Sequence, residues 1–170
     1  MRKEKISGKK KNSPNKNVKG AHVVLYRLLR TDNNKRKDKY WVQAVLLCKR
    51  TQDAPIHPGY WALFGGELRN SELPEQAVLR EVKEELKINK RTIKKMDPLC
   101  MVEIKRKEKI SIEYFCSPLK VDMNKLRMRM KKGKIEGEGL GWFTAEEIHH
   151  LVMSPEDRIA VTKFFQENGI

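Results

Sequence analysis

From Gly65 to Ile88 the chain reads GGELRNSELPEQAVLREVKEELKI, a glycine pair followed by a short polar loop and one unbroken helical pattern. Pro74 suits the first position of a helix, and Glu75 to Leu86 contains no Gly or Pro and is rich in good helix formers. A helix of about three turns is predicted there. At roughly 100° per residue, Glu81, Glu84 and Glu85 share one arc, while Val78, Leu79, Val82 and Leu86 form a neighbouring apolar stripe. Three carboxylates so close repel one another and raise each other's pKa unless something positive sits among them.

An oxygen-rich acidic cluster of this kind suits Mg²⁺ or Mn²⁺. Arg80 can bind a neighbouring carboxylate through a charge-assisted hydrogen bond and keep it ionised. Gly65 and Gly66 close the apolar run WALF and allow backbone to approach a metal or phosphate, with the Gly66 carbonyl as an extra candidate ligand. A Glu-rich helix flanked by Lys is also the usual look of a solvated face held by pairs three or four residues apart. Such a face has no reason to combine a glycine pair, loop Glu72, Arg80 and three further glutamates in fixed order.

At these residues the segment resembles the Nudix box: Gly, five residues, Glu, seven residues, Arg-Glu, an aliphatic, any residue, Glu-Glu, any residue, Gly, an aliphatic. Gly66, Glu72, Arg80, Glu81, Val82, Glu84, Glu85 and Ile88 match. Lys87 stands where the family has its last Gly, and Ser71 replaces a frequent Gly before Glu72. Asn89 is expected to supply the left-handed residue that ends the helix. The resemblance implies an α+β fold, the Nudix α/β/α sandwich with a mixed central sheet. It also implies a metal shell of Glu81, Glu84, Glu85 and Gly66, supported by Gly65 and Glu72, with Arg80 orienting Glu81.

The activity that the resemblance implies is hydrolysis of a nucleoside diphosphate linked to another group, NDP-X plus water giving NMP plus phospho-X. The favoured substrate class is a nucleoside triphosphate, oxidised forms such as 8-oxo-dGTP included, or a related small nucleotide. An RNA 5′ pyrophosphohydrolase and a noncatalytic nucleotide-binding module are the alternatives. The general base is open between Glu81 and Glu138. Glu136 and Glu138 lie in KIEGEGLGWF, similar to a region where many Nudix enzymes place another metal-binding or base glutamate, though an acidic Gly-rich turn has the same appearance. Glu113, on a strand, is a weaker candidate. His57, Tyr60 and Trp61, just before the glycine pair, are candidates for holding a base, ribose or phosphate.

The rest of the chain fits around this segment. Apolar runs predict strands over AHVVLYRLL, YWVQAVLLCK, WALF, LCMVEIKRK, KISIEYFCSPLKV and GLGWFT, with the turn between the fourth and fifth around Arg106 to Glu108. Thr144 is placed to cap a helix AEEIHHLV, and Ser154 with Pro155 to open a second over EDRIAVTKFFQ. At 170 residues the chain suits one domain, expected over 19–170, with a disordered basic tail over 1–18. No apolar run reaches membrane-spanning length, and the basic N-terminus lacks the core of a secretory signal, so no membrane role and a cytoplasmic location are expected. Cys48, Cys100 and Cys116 are odd in number and scattered, which argues for reduced packing residues. His22, His149 and His150 show no ligand spacing.

The formal charge of +15 favours polyanionic partners, phosphorylated substrates or RNA through the basic patches. The segments NKRTIKK and KLRMRMKKGK carry much of that charge, but neither has aromatic residues interleaved for base stacking. The oligomeric state is left open, with a homodimer among the options.

Overall fold

The computed structural model describes residues 17–32, 39–93, 95–105, 109–126, 130–131, 134–135 and 137–168. The long apolar runs pair first: β1 (Val18–Asp32) and β2 (Lys39–Arg50) form an antiparallel ribbon with Leu25 opposite Leu46 and Asp32 opposite Lys39. Two short strands, β3 (Trp61–Ala62) and β4 (Phe64–Glu67), follow. Helix α1 (Pro74–Leu86) comes next, then β5 (Asp97–Lys105), β6 (Lys109–Pro118), the small hairpin β7 (Met130–Lys131) and β8 (Lys134–Ile135), and β9 (Gly137–Thr144). Helices α2 (Ala145–Ile148) and α3 (Pro155–Asn168) end the described chain.

The main sheet is seven-stranded and mixed. Its path runs β3-β2-β1-β6-β5, with β4 paired to β1 and β9 to β2. β1 and β6 run parallel, with Ala21 beside Glu113 and Val23 beside Phe115, while the other pairs are antiparallel. Strand periodicity then sorts the side chains. Ala21, Val23, Leu25, Leu46 and Phe64 meet Ala77, Val78, Val82 and Leu86 of α1 on one face. Val24, Val45, Leu47, Leu63 and Tyr114 meet Ala160, Val161 and Phe164 of α3 on the other. The α/β/α sandwich and the mixed sheet stand. Each fully buried aliphatic or aromatic side chain here contributes roughly 1.5–3 kcal/mol.

Several boundaries differ from the sequence reading for physical reasons. β1 begins at Val18, and Ser111 N–H donates to the Asn17 carbonyl. WALF is two strands rather than one, because Leu63 N–H leaves the sheet to donate to Asp157 Oδ2 at 3.1 Å. β6 stops at Pro118 instead of reaching Val121: Leu119 N–H still donates to the Tyr26 carbonyl of β1, but Pro118 has no N–H to offer a neighbour. α2 ends at Ile148, although Thr144 does cap it through a reciprocal bond pair with Glu147. Ser154 Oγ accepts from Asp157 N–H and caps α3. The turn at 106–108 and residues 1–16 of the tail fall outside the described residues.

The two positions where the box departs from its family pattern both adopt left-handed backbone. Lys87 ends α1 with φ 55° and ψ 26°, and Ser71 has φ 63° in the turn closed by Glu72 N–H on the Arg69 carbonyl. Asn89 is therefore not the capping residue; its side-chain oxygen accepts from Arg91 N–H and starts the next turn. A residue with a Cβ pays about 1–2 kcal/mol in this region, which Gly avoids. Lys87→Gly and Ser71→Gly should each raise Tm by roughly 2–4 °C in a thermal melt, whereas Asn89→Gly should not.

Candidate functional site

Helix α1 brings Arg80, Glu81 and Glu85 to β4. The Arg80 guanidinium is the hub. Its Nε and Nη2 donate to the two oxygens of Glu72 at 2.8 Å each, a bidentate fork, and Nη2 also donates to the Glu67 carbonyl at 3.1 Å. Nη1 donates to Glu81 Oε1. Glu72 accepts a further bond from Arg69 N–H at 3.0 Å. These donors favour the ionised carboxylate, and Arg80 first among them lowers the Glu72 pKa to about 2. The same contacts push the Arg80 pKa further up, so the guanidinium stays charged.

The glycine pair fits this hub by what it lacks. Gly66 lies under Glu81, where an added Cβ would come 2.8 Å from Glu81 Oε1. Gly65, at φ 149°, packs so tightly on β1 that a Cβ would meet the Ala21 carbonyl at 2.2 Å. Gly65 N–H donates to Glu85 Oε2 at 3.3 Å, and Glu84 Oε1 lies 3.6 Å from the exposed Arg69 guanidinium. Each glutamate of the arc thus has its own protein partner, and among the described residues no three acidic, His or Cys side chains converge on one point. The donor set is still all oxygen, three carboxylates and the backbone of Gly66 on one side of α1, which is chemistry suited to Mg²⁺ or Mn²⁺.

On the α3 face a cleft of about 250 Å³ opens beside the glycine pair and is lined by Gly65, Gly66 and Glu85 together with His57, Tyr60 and Trp61. The His57 and Tyr60 rings stack at 5.1 Å, and Trp61 meets Phe143 edge-on at 4.6 Å. The floor is apolar, from Ile104, Ile110 and Ile112, and the cations Lys19 and Arg50 also border it. The sequence candidates in DAPIHPGYW are therefore brought to the same cleft as the box.

Two candidates are not. Glu138 does not line the cleft; pairing of β9 along β2 leaves its carboxylate on Gln52 N–H at 3.2 Å and 3.8 Å from Lys49 Nζ. Glu113 shares the α1 face with Ala21, away from the cleft, where burial and then Glu75 raise its pKa. Glu136 lies outside the described residues.

A buried network that no sequence motif announces lies at the same cleft. Asp157, 3% exposed, accepts from His22 Nδ1 at 3.1 Å, Tyr114 Oη at 3.1 Å and Leu63 N–H at 3.1 Å. Burial raises the pKa of such a carboxylate, but these donors, His22 foremost, outweigh it and leave Asp157 below the usual range. Burial pushes the Tyr114 phenol up, with Asp157 adding to the effect. A signal was available: Asp157, Ala160, Val161 and Phe164 follow helical spacing, so a carboxylate sits on an apolar stripe.

Glu72 gives a test by acid. Its folded pKa is depressed, so its contribution is full above the unfolded value of about 4.3 and is lost as pH falls through about 2. Glu72→Gln should be less stable than the natural protein in denaturant melts at neutral pH, with the gap closing as pH is lowered toward 2. Gly66→Ala should displace the Glu81 carboxylate while leaving the far-ultraviolet spectrum unchanged.

The NUDIX domain family model matches residues 19–164. The nucleoside triphosphatase NudI of Enterobacter sp. (strain 638) and that of Escherichia coli O139:H28 (strain E24377A / ETEC) are each 49% identical over 43 residues, 25% of this chain and 30% of the relative. Each match therefore spans under a third of the relative's length.

Among solved structures, a MutT NUDIX hydrolase from Burkholderia pseudomallei superposes with TM-score 0.61 at 24% identity, covering 85% of this chain and 95% of that one. The NUDIX domain of Shewanella oneidensis NrtR, complexed with ADP ribose, gives 0.63 at 15%, covering 92% and 94%. A C. elegans Ap4A hydrolase binary complex gives 0.61 at 21%, covering 88% and 96%. These likenesses establish the fold.

Proposed function

We propose, from the premise that this chain belongs to the NUDIX family, that it is a metal-dependent pyrophosphohydrolase acting on a nucleoside diphosphate derivative, with a nucleoside triphosphate as the first candidate. The observation that carries the reading is the Arg80 hub: it holds Glu81 against Gly66, and Gly66 with Glu85 borders the cleft. The partial likeness to nucleoside triphosphatases supports the substrate class. So does a cleft that pairs an apolar and aromatic wall for a base with Lys19 and Arg50 for phosphates.

Glu81, Glu84, Glu85 and the Gly66 carbonyl are the residues assigned to hold the metal. A bound Mg²⁺ or Mn²⁺ would neutralise charge on the pyrophosphate oxygens and lower the pKa of a water. The water oxygen forms a bond to phosphorus, the bridging P–O bond breaks, and phospho-X leaves with the bond's electrons. Glu81 is assigned the proton of the attacking water, with Arg80 keeping its carboxylate ionised and oriented. Glu138, tied to Gln52 and Lys49 outside the cleft, is set aside as base. Arg80 and Glu72 act by fixing Glu81, so little reorganisation is needed when charge moves. The ring pair His57 and Tyr60 offers a stacking face for the base.

Purified protein assayed with nucleoside triphosphates, nucleotide sugars, dinucleoside polyphosphates and triphosphorylated RNA, with Mg²⁺ and then Mn²⁺, tests this reading. Hydrolysis of RNA alone, with activity falling steeply in salt, would favour the RNA enzyme. Binding without hydrolysis of any of them would favour the noncatalytic module. Glu84→Gln and Glu85→Gln should each lower turnover by about two orders of magnitude or more at saturating metal, with Tm nearly unchanged. Full activity in either variant would refute the assignment.

A further inference from the structure

The buried network behind the cleft has a consequence for selectivity. Asp157 is ionised and can only accept hydrogen bonds, so the His22 nitrogen facing it, Nδ1, must be the donor. A neutral imidazole carries one proton, and with Nδ1 holding it Nε2 is left with a lone pair. His22 lines the cleft, its register partner on β4 is Gly65, and its ring meets Tyr114 edge-on at 5.4 Å. Nε2 is the ring's remaining polar atom. Glu156, bordering the same cleft one residue before Asp157, is another group that only accepts when ionised.

We propose that His22 is a specificity-determining residue whose Nε2 accepts a hydrogen bond from the exocyclic amino group of a nucleobase, with Asp157 as the positioning residue that fixes its tautomer. This rests on the nucleotide reading above and narrows it to amino-bearing bases. Asp157 serves two purposes with one carboxylate: Oδ2 ties Leu63 between β3 and β4, while Oδ1 holds His22 and Tyr114. That division makes the effect of an amide foreseeable. The Leu63 N–H can only donate, so in Asp157→Asn the amide oxygen must face Leu63 and the NH₂ must face His22. Nδ1 then becomes the acceptor, the proton moves to Nε2, and the cleft gains a donor in place of an acceptor.

The test uses pairs of nucleotides that differ only by the amino group: guanosine against inosine, adenosine against purine riboside, and cytidine against its 4-deamino analogue. Affinities are measured by calorimetry with the α,β-methylene triphosphates at pH 8.5, and kcat and KM with the hydrolysable forms. The amino member of at least one pair should bind about tenfold tighter or more, with the difference in KM rather than kcat. His22→Ala should weaken only that member, and Asp157→Asn should reverse the preference, which loss of a packing contact alone would not do. Equal affinity within every pair, or equal loss of both members in His22→Ala, overturns the assignment while leaving the nucleotide reading intact. Failure to bind any nucleotide overturns both. Long-range ¹H–¹⁵N correlation of the unmodified protein reads the tautomer directly, and a proton on Nε2 at pH 8.5 also overturns it.

Discussion

The Arg80 guanidinium joins parts of the chain that would otherwise repel or drift. Glu72 sits in a loop and Glu81 on the helix, and both are only partly exposed, so neither charge is well solvated. A planar fork satisfies Glu72 with two parallel bonds and still has Nη1 for Glu81 and an N–H for the Glu67 carbonyl. The loop, the helix and the end of β4 are thereby fixed to one another. The exposed pair of Arg69 with Glu84 adds little by comparison, because water screens it and side-chain entropy opposes it.

The sheet separates two tasks by face. Residues of β1 alternate, so Ala21 and Val23 pack toward α1 while His22 and Val24 turn toward α3. The acidic arc of α1 lies on the first face and the cleft on the second. They meet at Gly65 and Gly66, where the backbone is thin enough for Glu85 to bond Gly65 N–H and border the cleft as well. Asp157 closes the second face by linking α3 to β1, β6 and the residue between β3 and β4. It is a charge buried at a cost, and three donors offset that cost.

Local rules reach as far as local causes do. The helix from Pro74 to Leu86, the apolar strands and the caps at Thr144 and Ser154 follow from spacing and turn chemistry within a few residues. The break at Leu63 is not local, because its N–H answers to a carboxylate 94 positions away. Lys87 is similar: propensity alone favours Asn89 for the left-handed residue, yet Asn89 is engaged by Arg91 N–H and Lys87 takes the strain. Glu138 is the stronger and Glu113 the weaker candidate by sequence, and strand pairing puts both outside the cleft.

What the amino-acid order determined by itself was the acidic helix, the glycine pair before it, the family and the class of fold. These depend on residue type at fixed short spacing, which a single turn of helix or a single tight backbone contact translates into geometry. Only the tertiary structure decided that Arg80 binds Glu72 as well as Glu81, that Glu138 lies apart, and that His22, Tyr114 and Asp157 share one buried network. The last two relations join residues 43 to 135 positions apart, while Glu72 reaches Arg80 only through the way the loop folds back on α1; the partners are chosen by burial and by which donors remain unspent once the sheet has formed.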